Sequence, residues 1–211
     1  MVRRWCRVLL RLSGCRVRVE GLRHLRHAGP AVLATNHASY LDAGVLLAAL
    51  PGEFRFVAKH ELADRPLIGT AIRTVGHLTV ERGAAAHSEA DAQRAASILR
   101  RGMSLMFFPE GTFRRAPGLL PFRLGAFKVA VDTGRPVIPI GIQGTRAVLP
   151  AESWLPKQGP ITVAIGPPIA PHGQEWPEMV RLRDLARAEI ARLAGEGFAP
   201  GTTTPERRRA A

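Results

Sequence analysis

Short apolar runs alternate with segments of helical periodicity along this chain, and this alternation restricts the possible folds more than any other feature of the sequence. Uninterrupted apolar strands are typical of parallel sheets whose two faces are both covered. The sequence therefore predicts an α/β fold with a mixed, largely parallel central sheet flanked by helices. The predicted strands are 17–20, 31–34, 54–58, 75–80, 104–108, 137–142 and 161–165, and the predicted helices after the N-terminal one are 42–50, 66–74, 88–101, 122–133 and 178–194.

Length and composition fit one domain with short appendages. The 211 residues are 46% hydrophobic and 22% charged, which is enough apolar material for a sizeable core. We assign 14–195 to the domain, and we expect 196–211, rich in Gly, Thr, Pro and Arg, to form a disordered basic tail. No apolar run approaches the ~20 residues that span a bilayer, and we expect no signal peptide. No histidine or cysteine spacing indicates a metal site.

The first thirteen residues predict an amphipathic helix. One arc of this helix carries only arginines, and the opposite arc carries Trp5 with aliphatic residues. Such a helix suits an anionic membrane interface. The alternative is a helix docked on the domain with its arginines in water. The arginines are Arg3, Arg4, Arg7 and Arg11.

Charge is concentrated at the start of the chain. Residues 1–27 contain eight arginines and one acidic residue, Glu20, within a total formal charge of +13. This excess indicates an anionic partner, either a membrane or a nucleic acid. Nucleic acid is the less favoured alternative, because no nucleic-acid-binding motif is found and it leaves the polar loops at the strand ends unexplained.

One polar loop combines a histidine with a carboxylate. His37 and Asp42 follow the strand 31–34 and precede a helix. A carboxylate that accepts a hydrogen bond from Nδ1–H leaves the other imidazole nitrogen free to act as a base. The alternative is a histidine that caps the helix beside an N-terminal aspartate. Ser39 lacks the G-x-S-x-G context of a nucleophile, and a loop serine bonded to backbone is the better interpretation.

Three further side chains at strand ends are candidates for binding or chemistry. Arg82 follows the strand 75–80, and its guanidinium is a bidentate phosphate donor, although a surface salt bridge is the alternative. Lys59, after the strand 54–58, is a second anchor of the same kind. Glu110 follows an apolar strand and could be a base, a hydroxyl clamp or an ion-pair partner.

Four blocks of sequence together resemble the glycerolipid acyltransferase family that includes 1-acyl-glycerol-3-phosphate acyltransferases. The first block has the N-H-x4-D pattern and the third matches F-P-E-G-T, and these two together are highly specific. The resemblance extends from about residue 17 to 169 and implies the glycerophosphate acyltransferase type of α/β fold. The blocks are NHASYLD at 36–42, GHLTVER at 76–82, FPEGT at 108–112 and VIPI at 137–140.

The resemblance implies a role for each matching residue. His37 is implied as the general base and Asp42 as its orienting partner. Arg82 is implied to bind the phosphate of the acceptor together with the third block. That block contributes Glu110, Gly111 and Thr112, and we add Lys59 to the expected substrate-binding residues.

The implied reaction is an acyl transfer at the membrane surface. A fatty acyl group passes from acyl-CoA or acyl carrier protein, without a resident cofactor, to the hydroxyl of 1-acyl-sn-glycerol-3-phosphate, giving phosphatidic acid. Other acceptors, such as another lysophospholipid or a lyso-ornithine lipid, stay open. A further alternative is a hydrolase in which His37 activates water. We expect peripheral attachment to the cytoplasmic face of a membrane through the segment 1–13.

The sequence departs from the family pattern in two places, at Thr79 and at 113–115. Thr79 stands where the second block usually has Phe, which changes one wall of the expected pocket. Phe113, Arg114 and Arg115 replace the commoner Arg-Ser pair after the third block. The extra cations could suit a different headgroup.

Overall fold

The computed structural model describes residues 1–59, 78–80, 85–150, 153 and 155–200, with 58–59, 78–80 and 85–92 described as backbone only. Its described elements alternate between strand and helix as the sequence predicts. The strands are β1 (Arg16–Glu20), β2 (Val32–Thr35), β3 (Phe54–Lys59), β4 (Leu78–Val80), β5 (Ser104–Phe107), β6 (Val137–Gln143) and β7 (Pro160–Ile165). The helices are α1 (Val2–Leu12), α2 (Arg23–Arg26), α3 (Asp42–Ala49), α4 (Ala85–Arg100), α5 (Gly125–Thr133), α6 (Thr145–Val148) and α7 (Trp176–Ala194).

All seven strands join one sheet in the order β1-β7-β6-β2-β5-β3-β4. The pairs β6–β2, β2–β5, β5–β3 and β3–β4 are parallel, whereas β7 runs antiparallel to β6, and β1 is parallel to β7. The predicted mixed, largely parallel sheet with flanking helices is therefore confirmed. The central strands β2, β5 and β6 all end at the same edge, so the loops that follow them meet there.

Side chains that alternate along the central strands build one core on each face of the sheet. On β2, Leu33 points into a cluster with α1 and α3, and Val32 points into a cluster with α4, α5 and α7. Both side chains are at most 2% exposed. Because both faces are covered, strand β2 has no polar side chain until Thr35, where the chain leaves the sheet.

Helix α1 packs on the core that includes α3 through the buried Leu10, with Val2 and Cys6 beside it, and two of its arginines also bind α3. Arg3 donates from Nη1 to the carbonyl oxygen of Leu50 at 3.1 Å, and Arg7 donates from Nε to that of Ala48 at 2.8 Å. These carbonyls belong to the last turn of α3, where cations are favourable. The sequence predicts the arginines on a face turned toward water or a membrane, and two of the four face the protein instead.

The opposite face of α1 is apolar and exposed. Trp5 is 61% exposed, Leu9 59% and Leu12 80%, so most of the surface of this stripe is exposed. Arg4 and Arg11 are also exposed. No helix in the described part of the chain is both long and apolar enough to cross a membrane.

Helix α4 begins at Ala85, three residues before its predicted start, and two other predicted boundaries differ for physical reasons. The helix predicted from 122 begins at Gly125, because the backbone N–H of Arg123 donates to the carbonyl of Pro109 at 2.9 Å instead of joining a helix. Helix α7 begins at Trp176, two residues earlier than predicted, because Pro177 fits its first turn. The predicted helix 66–74 lies outside the described residues.

The predicted disordered tail is ordered over its first residues. Within 196–200, the backbone of Gly197 and Ala199 hydrogen-bonds to Leu119, and Glu196 forms an ion pair with Arg146. The composition of this segment could not indicate these contacts, because their partners lie some 50 to 80 residues away in sequence. The rest of the predicted tail, 201–211, lies outside the described residues.

Candidate active site

His37 and Asp42 meet in the loop between β2 and α3. His37 Nδ1 lies 2.9 Å from Asp42 Oδ2, and that same oxygen accepts hydrogen bonds from the backbone N–H groups of Ala38 and Ser39 at 2.7 and 2.9 Å. The loop thus wraps around a fully buried carboxylate at the first turn of α3. Helix N-termini suit side chains that accept hydrogen bonds from backbone N–H groups, as this carboxylate does.

This contact defines the tautomer of the neutral imidazole. An ionised carboxylate only accepts hydrogen bonds, so Nδ1 carries the proton and Nε2 keeps its lone pair. The His37 side chain is 21% exposed, which leaves it reachable from solvent. The structure brings together the two residues that the sequence paired, and their catalytic role stays a prediction.

Two aromatic rings enclose His37. Phe108 stacks on the imidazole with ring centroids 4.2 Å apart, and Phe113 lies against it, tilted, at 4.5 Å. Tyr40 packs edge-on against Phe113 at 4.8 Å. Sequence reasoning does not predict these contacts with His37, although Phe108 begins the third block and Phe113 follows it. These contacts restrict the orientations of the imidazole ring.

Glu110 braces the site from the neighbouring strand end. Its Oε1 accepts the backbone N–H of His37 at 2.7 Å, and its Oε2 accepts that of Leu120 at 2.8 Å. Burial raises the pKa of Glu110 to about 7, against the opposing effect of these two hydrogen bonds. The carboxylate therefore joins the His37 loop to the segment around residue 120, and its predicted contact with substrate stays a prediction.

Of the remaining expected binding residues, Gly111 and Thr112 directly follow this brace in the chain. Gly111 closes a turn by donating its N–H to the carbonyl of Phe108 at 2.9 Å, with φ at +70°, a conformation that favours glycine. Thr112 is exposed beside it. Lys59 ends β3 at the same sheet edge, but its side chain is outside the described residues, as is Arg82 altogether.

The side chains of Ser39 and Asn36, two polar residues of the first block, form hydrogen bonds with backbone groups. Ser39 donates from Oγ to the carbonyl of Leu149 at 2.7 Å and accepts the N–H of Leu41 at 3.1 Å, which confirms the interpretation as a backbone-bonded loop serine. Asn36, which the sequence analysis did not single out, exchanges two hydrogen bonds with the backbone of Ile142, at 3.0 and 2.7 Å. It fixes the loop to β6.

The arrangement is suited to removing a proton from a hydroxyl at the open edge of the sheet. Nε2 of His37 is the available base, and Asp42 supports the positive charge that develops on the ring. The buried serine has both its donor and acceptor capacity used by backbone. A mechanism without a covalent enzyme intermediate therefore fits this geometry better than a serine triad.

A family model described as acyltransferase matches residues 16–143. The chain belongs to the acyltransferase family. The match contains β1 to β6 and the loops that carry the paired histidine and aspartate and the glutamate brace, so the family resemblance expected from the sequence is confirmed. It stops before α6 and α7.

Relatives of this acyltransferase-family chain include plastid and animal proteins. It is 36% identical over 163 residues to the chloroplastic 1-acyl-sn-glycerol-3-phosphate acyltransferase LPAT1 of Arabidopsis thaliana, covering 76% of this chain and 45% of that protein. It is 29% identical over 177 residues to the human 1-acyl-sn-glycerol-3-phosphate acyltransferase alpha, covering 83% and 62%. The chain thus spans about half the length of these relatives.

A solved structure supports the fold. The chain superimposes on the 1-acyl-sn-glycerophosphate acyltransferase PlsC of Thermotoga maritima with a TM-score of 0.72. The superposition covers 91% of this chain and 78% of the other, at 24% sequence identity. At that identity the likeness establishes a common architecture of the acyltransferase domain.

Proposed function

We propose that this chain is an O-acyltransferase that moves a fatty acyl group from a thioester donor to the free hydroxyl of a lysophospholipid. The observation that carries the proposal is the His37–Asp42 pair, joined at 2.9 Å in the first block of a chain that belongs to the acyltransferase family. The acceptor we propose is 1-acyl-sn-glycerol-3-phosphate, which gives phosphatidic acid. Relatives whose printed names contain this substrate support that choice.

The proposed reaction needs one base and no resident cofactor. Nε2 of His37 takes the proton of the acceptor hydroxyl as its oxygen attacks the thioester carbonyl. The tetrahedral intermediate then collapses, its carbon–sulfur bond breaks, and the departing thiolate takes the proton from the imidazolium. Asp42 stabilises the imidazolium between these two transfers. Acyl-CoA and acyl carrier protein would both serve as donors in this scheme.

Binding of the acceptor phosphate is assigned to the residues around the third block. Arg82 supplies the bidentate donor in the proposal, with Lys59 as a second cation and with Gly111 and Thr112 at the turn. This assignment is supported by the family pattern and by the position of the Gly111 turn beside His37. A different anionic headgroup is the competing acceptor, favoured by the exposed Arg114 next to Phe113.

The decisive assay measures thiol release from palmitoyl-CoA or oleoyl-CoA, with and without lysophosphatidic acid, for wild type and His37→Ala. We expect release that requires the acceptor and that disappears in the variant, whose circular dichroism should match wild type. Release without acceptor would identify a thioesterase instead. Transfer by His37→Ala within tenfold of wild type would exclude His37 as the base.

We also propose that the exposed stripe of α1 binds the surface of an anionic membrane, peripherally and on the cytoplasmic face. An exposed apolar helix face with arginines beside it, here Arg4 and Arg11, is the pattern of an interfacial helix. The stripe consists of Trp5, Leu9 and Leu12, on the side of α1 away from Arg3 and Arg7.

Vesicle sedimentation tests this attachment. Wild type should sediment with vesicles of phosphatidylglycerol and phosphatidylcholine, and the double change Trp5→Ser and Leu9→Ser should reduce the bound fraction about tenfold or more, because two apolar side chains leave the interface. Leu185→Ser is the matched control, since Leu185 is 45% exposed on α7, on the other face of the sheet. Equal sedimentation of all three proteins would contradict the proposal.

A further inference from the structure

The segment 196–199, which we call the strap, returns to the loop that carries the third block. The N–H of Leu119 donates to the carbonyl of Gly197 at 2.9 Å, and the N–H of Ala199 donates to the carbonyl of Leu119 at 3.0 Å. These two bonds form a parallel bridge between Leu119 and Phe198. The strap therefore adds a short strand-like contact to a loop that otherwise lies outside the sheet.

A half-buried ion pair fixes both the strap and the loop. Glu196 accepts the N–H of Gly118 at 3.1 Å and binds Arg146 with both carboxylate oxygens, at 2.8 and 3.0 Å. Arg146 also donates from Nη1 to the carbonyls of Arg114 and Ala116, at 2.5 and 3.1 Å. The Nη2 atom of Arg146 makes both contacts with Glu196, and charge-assisted hydrogen bonds of this kind are the stronger ones in proteins. One arginine thus holds the strap and two points of the loop.

The approach of the strap to the loop is close enough to require glycine. Gly118 has φ at +105°, and a Cβ at this position would lie 2.9 Å from the Cα and the N of Ala199. Arg187 adds a contact from α7, because its guanidinium stacks on the ring of Phe198 at 4.3 Å and donates to the carbonyl of Leu119 at 3.2 Å. The loop, the strap and α7 are packed as one unit.

This unit is connected to the proposed base by one continuous path. Leu119, held by the strap, is followed by Leu120, whose N–H donates to Glu110. The other oxygen of Glu110 accepts the N–H of His37. Phe113, which covers the His37 ring, sits next to the Arg114 carbonyl that Arg146 holds. Loss of the strap should therefore loosen the loop on both sides of His37.

We infer that the strap and Arg146 position the 110–120 loop against His37 and thereby set the affinity for the lysophospholipid acceptor. The residues involved, Glu196 above all, are positioning residues. They lie beyond the family-model match, which ends at residue 143. The inference about loop order stands on the contacts alone, whereas the inference about acceptor affinity rests on the proposed function.

Amide hydrogen exchange of the full-length protein, without substrate, tests the structural part. In Glu196→Gln, peptides that cover 110–120 should exchange about tenfold faster than in wild type, because a charge-assisted clamp is lost. Peptides from β2 and β6 should keep their wild-type rates. Glu189→Gln is the matched control, since Glu189 pairs with Arg192 on the same helix as an exposed i,i+3 pair away from the loop. Arg146→Lys keeps the positive charge but loses the two guanidinium nitrogens that bind the loop and Glu196 at once. Its exchange over 110–120 should therefore resemble that of Glu196→Gln.

Steady-state kinetics test the functional part with the same variants. We expect Glu196→Gln to raise the KM for lysophosphatidic acid about fivefold or more while the KM for oleoyl-CoA stays within about twofold, because the loop holds the acceptor side of the site. Glu189→Gln should match wild type in both.

Each unexpected result has one meaning. Unchanged exchange over 110–120, or exchange that rises equally in β2 and β6, overturns the strap as a positioning element. Faster local exchange with an unchanged acceptor KM overturns the link to acceptor affinity. If wild type itself acylates no lysophosphatidic acid, the proposed function fails, and the exchange experiment still decides whether the strap orders the loop.

Discussion

At the scale of single residues, the site depends on one carboxylate oxygen. Asp42 Oδ2 accepts the Nδ1–H of His37 and two backbone N–H groups, so it shapes the loop and orients the ring together. Its Oδ1 is buried with no hydrogen-bond partner among the described atoms. Both the negative charge and the shape of the Asp42 carboxylate therefore contribute to the site.

Asp42→Asn removes the negative charge of the side chain and keeps its shape, so it tests the two contributions separately. The side-chain oxygen can keep the three hydrogen bonds, but the neutral amide no longer supports the imidazolium, so we expect acyl transfer to fall about 10²–10⁴-fold. The amide nitrogen would take the partnerless position, which should lower the free energy of unfolding by about 1–3 kcal/mol.

The control for Asp42→Asn is the double variant with His37→Ala. Because the two residues act as a unit, the double variant should transfer acyl groups no more slowly than His37→Ala alone. Multiplicative losses in kcat would show that Asp42 acts independently of the histidine.

Glu110 makes the stability of the domain depend on pH. Its pKa in the folded protein is raised to about 7 by burial, above its ordinary value of 4.5, so between these values the native carboxyl keeps a proton that the unfolded chain has released. The free energy of unfolding should therefore fall as pH rises through this window, by up to about 3 kcal/mol, and level off above it.

Urea unfolding of wild type and Glu110→Gln between pH 4.5 and 8 measures this effect. The neutral variant has no such titration, so the difference between the two unfolding free energies should change across the window and become constant above pH 7. Two curves that stay parallel from pH 4.5 to 8 would contradict a raised pKa at Glu110.

At the scale of elements, α1 shows how a sequence pattern can predict a helix and miss its orientation. The periodicity correctly placed a helix over the first residues, and it separated arginines from apolar side chains. Periodicity alone cannot reveal that the carbonyls of Ala48 and Leu50, some 40 residues away, attract Arg7 and Arg3 to the protein side. Those carbonyls are free to accept because α3 ends there.

Arg7→Ala should weaken the contact between α1 and α3. Losing a charged donor to a helix-terminal carbonyl should lower the free energy of unfolding by about 1 kcal/mol, as measured by urea denaturation. Arg11→Ala is the control, because Arg11 is exposed and should change stability by less than about 0.5 kcal/mol. Equal losses in the two variants would mean that total charge matters and the specific contact does not.

At the scale of the whole molecule, the sequence predicts what local pattern and motif determine. The alternation of strands and helices predicts the α/β sheet, and the first block predicts the meeting of His37 with Asp42, because both follow one strand end. The aromatic walls, the Glu110 brace and the strap were not predicted. Their partners come together only after distant strands have paired in the sheet.

The packing of α7 on β6 illustrates this dependence on distant segments, and it determines where the strap begins. Gly141 lies on β6 under the end of α7, where a Cβ would stand 2.5 Å from the N of Ala194 and from the backbone carbon of Leu193. The strap starts two residues after α7 ends, so a displacement of that helix should be transmitted to the strap.

Gly141→Ala should therefore lower the free energy of unfolding by about 1–3 kcal/mol, because a rigid helix backbone must move to admit the methyl group. Gly44→Ala is the control, since Gly44 lies within α3 with open space around its Cα, and the better helix propensity of alanine should raise stability by about 0.5–1 kcal/mol. Thermal or urea unfolding of both variants would measure these opposite effects. A Gly141→Ala protein as stable as wild type would mean that α7 can shift on the sheet without cost, and the strap would then be held by Glu196 and Arg146 rather than by the helix before it.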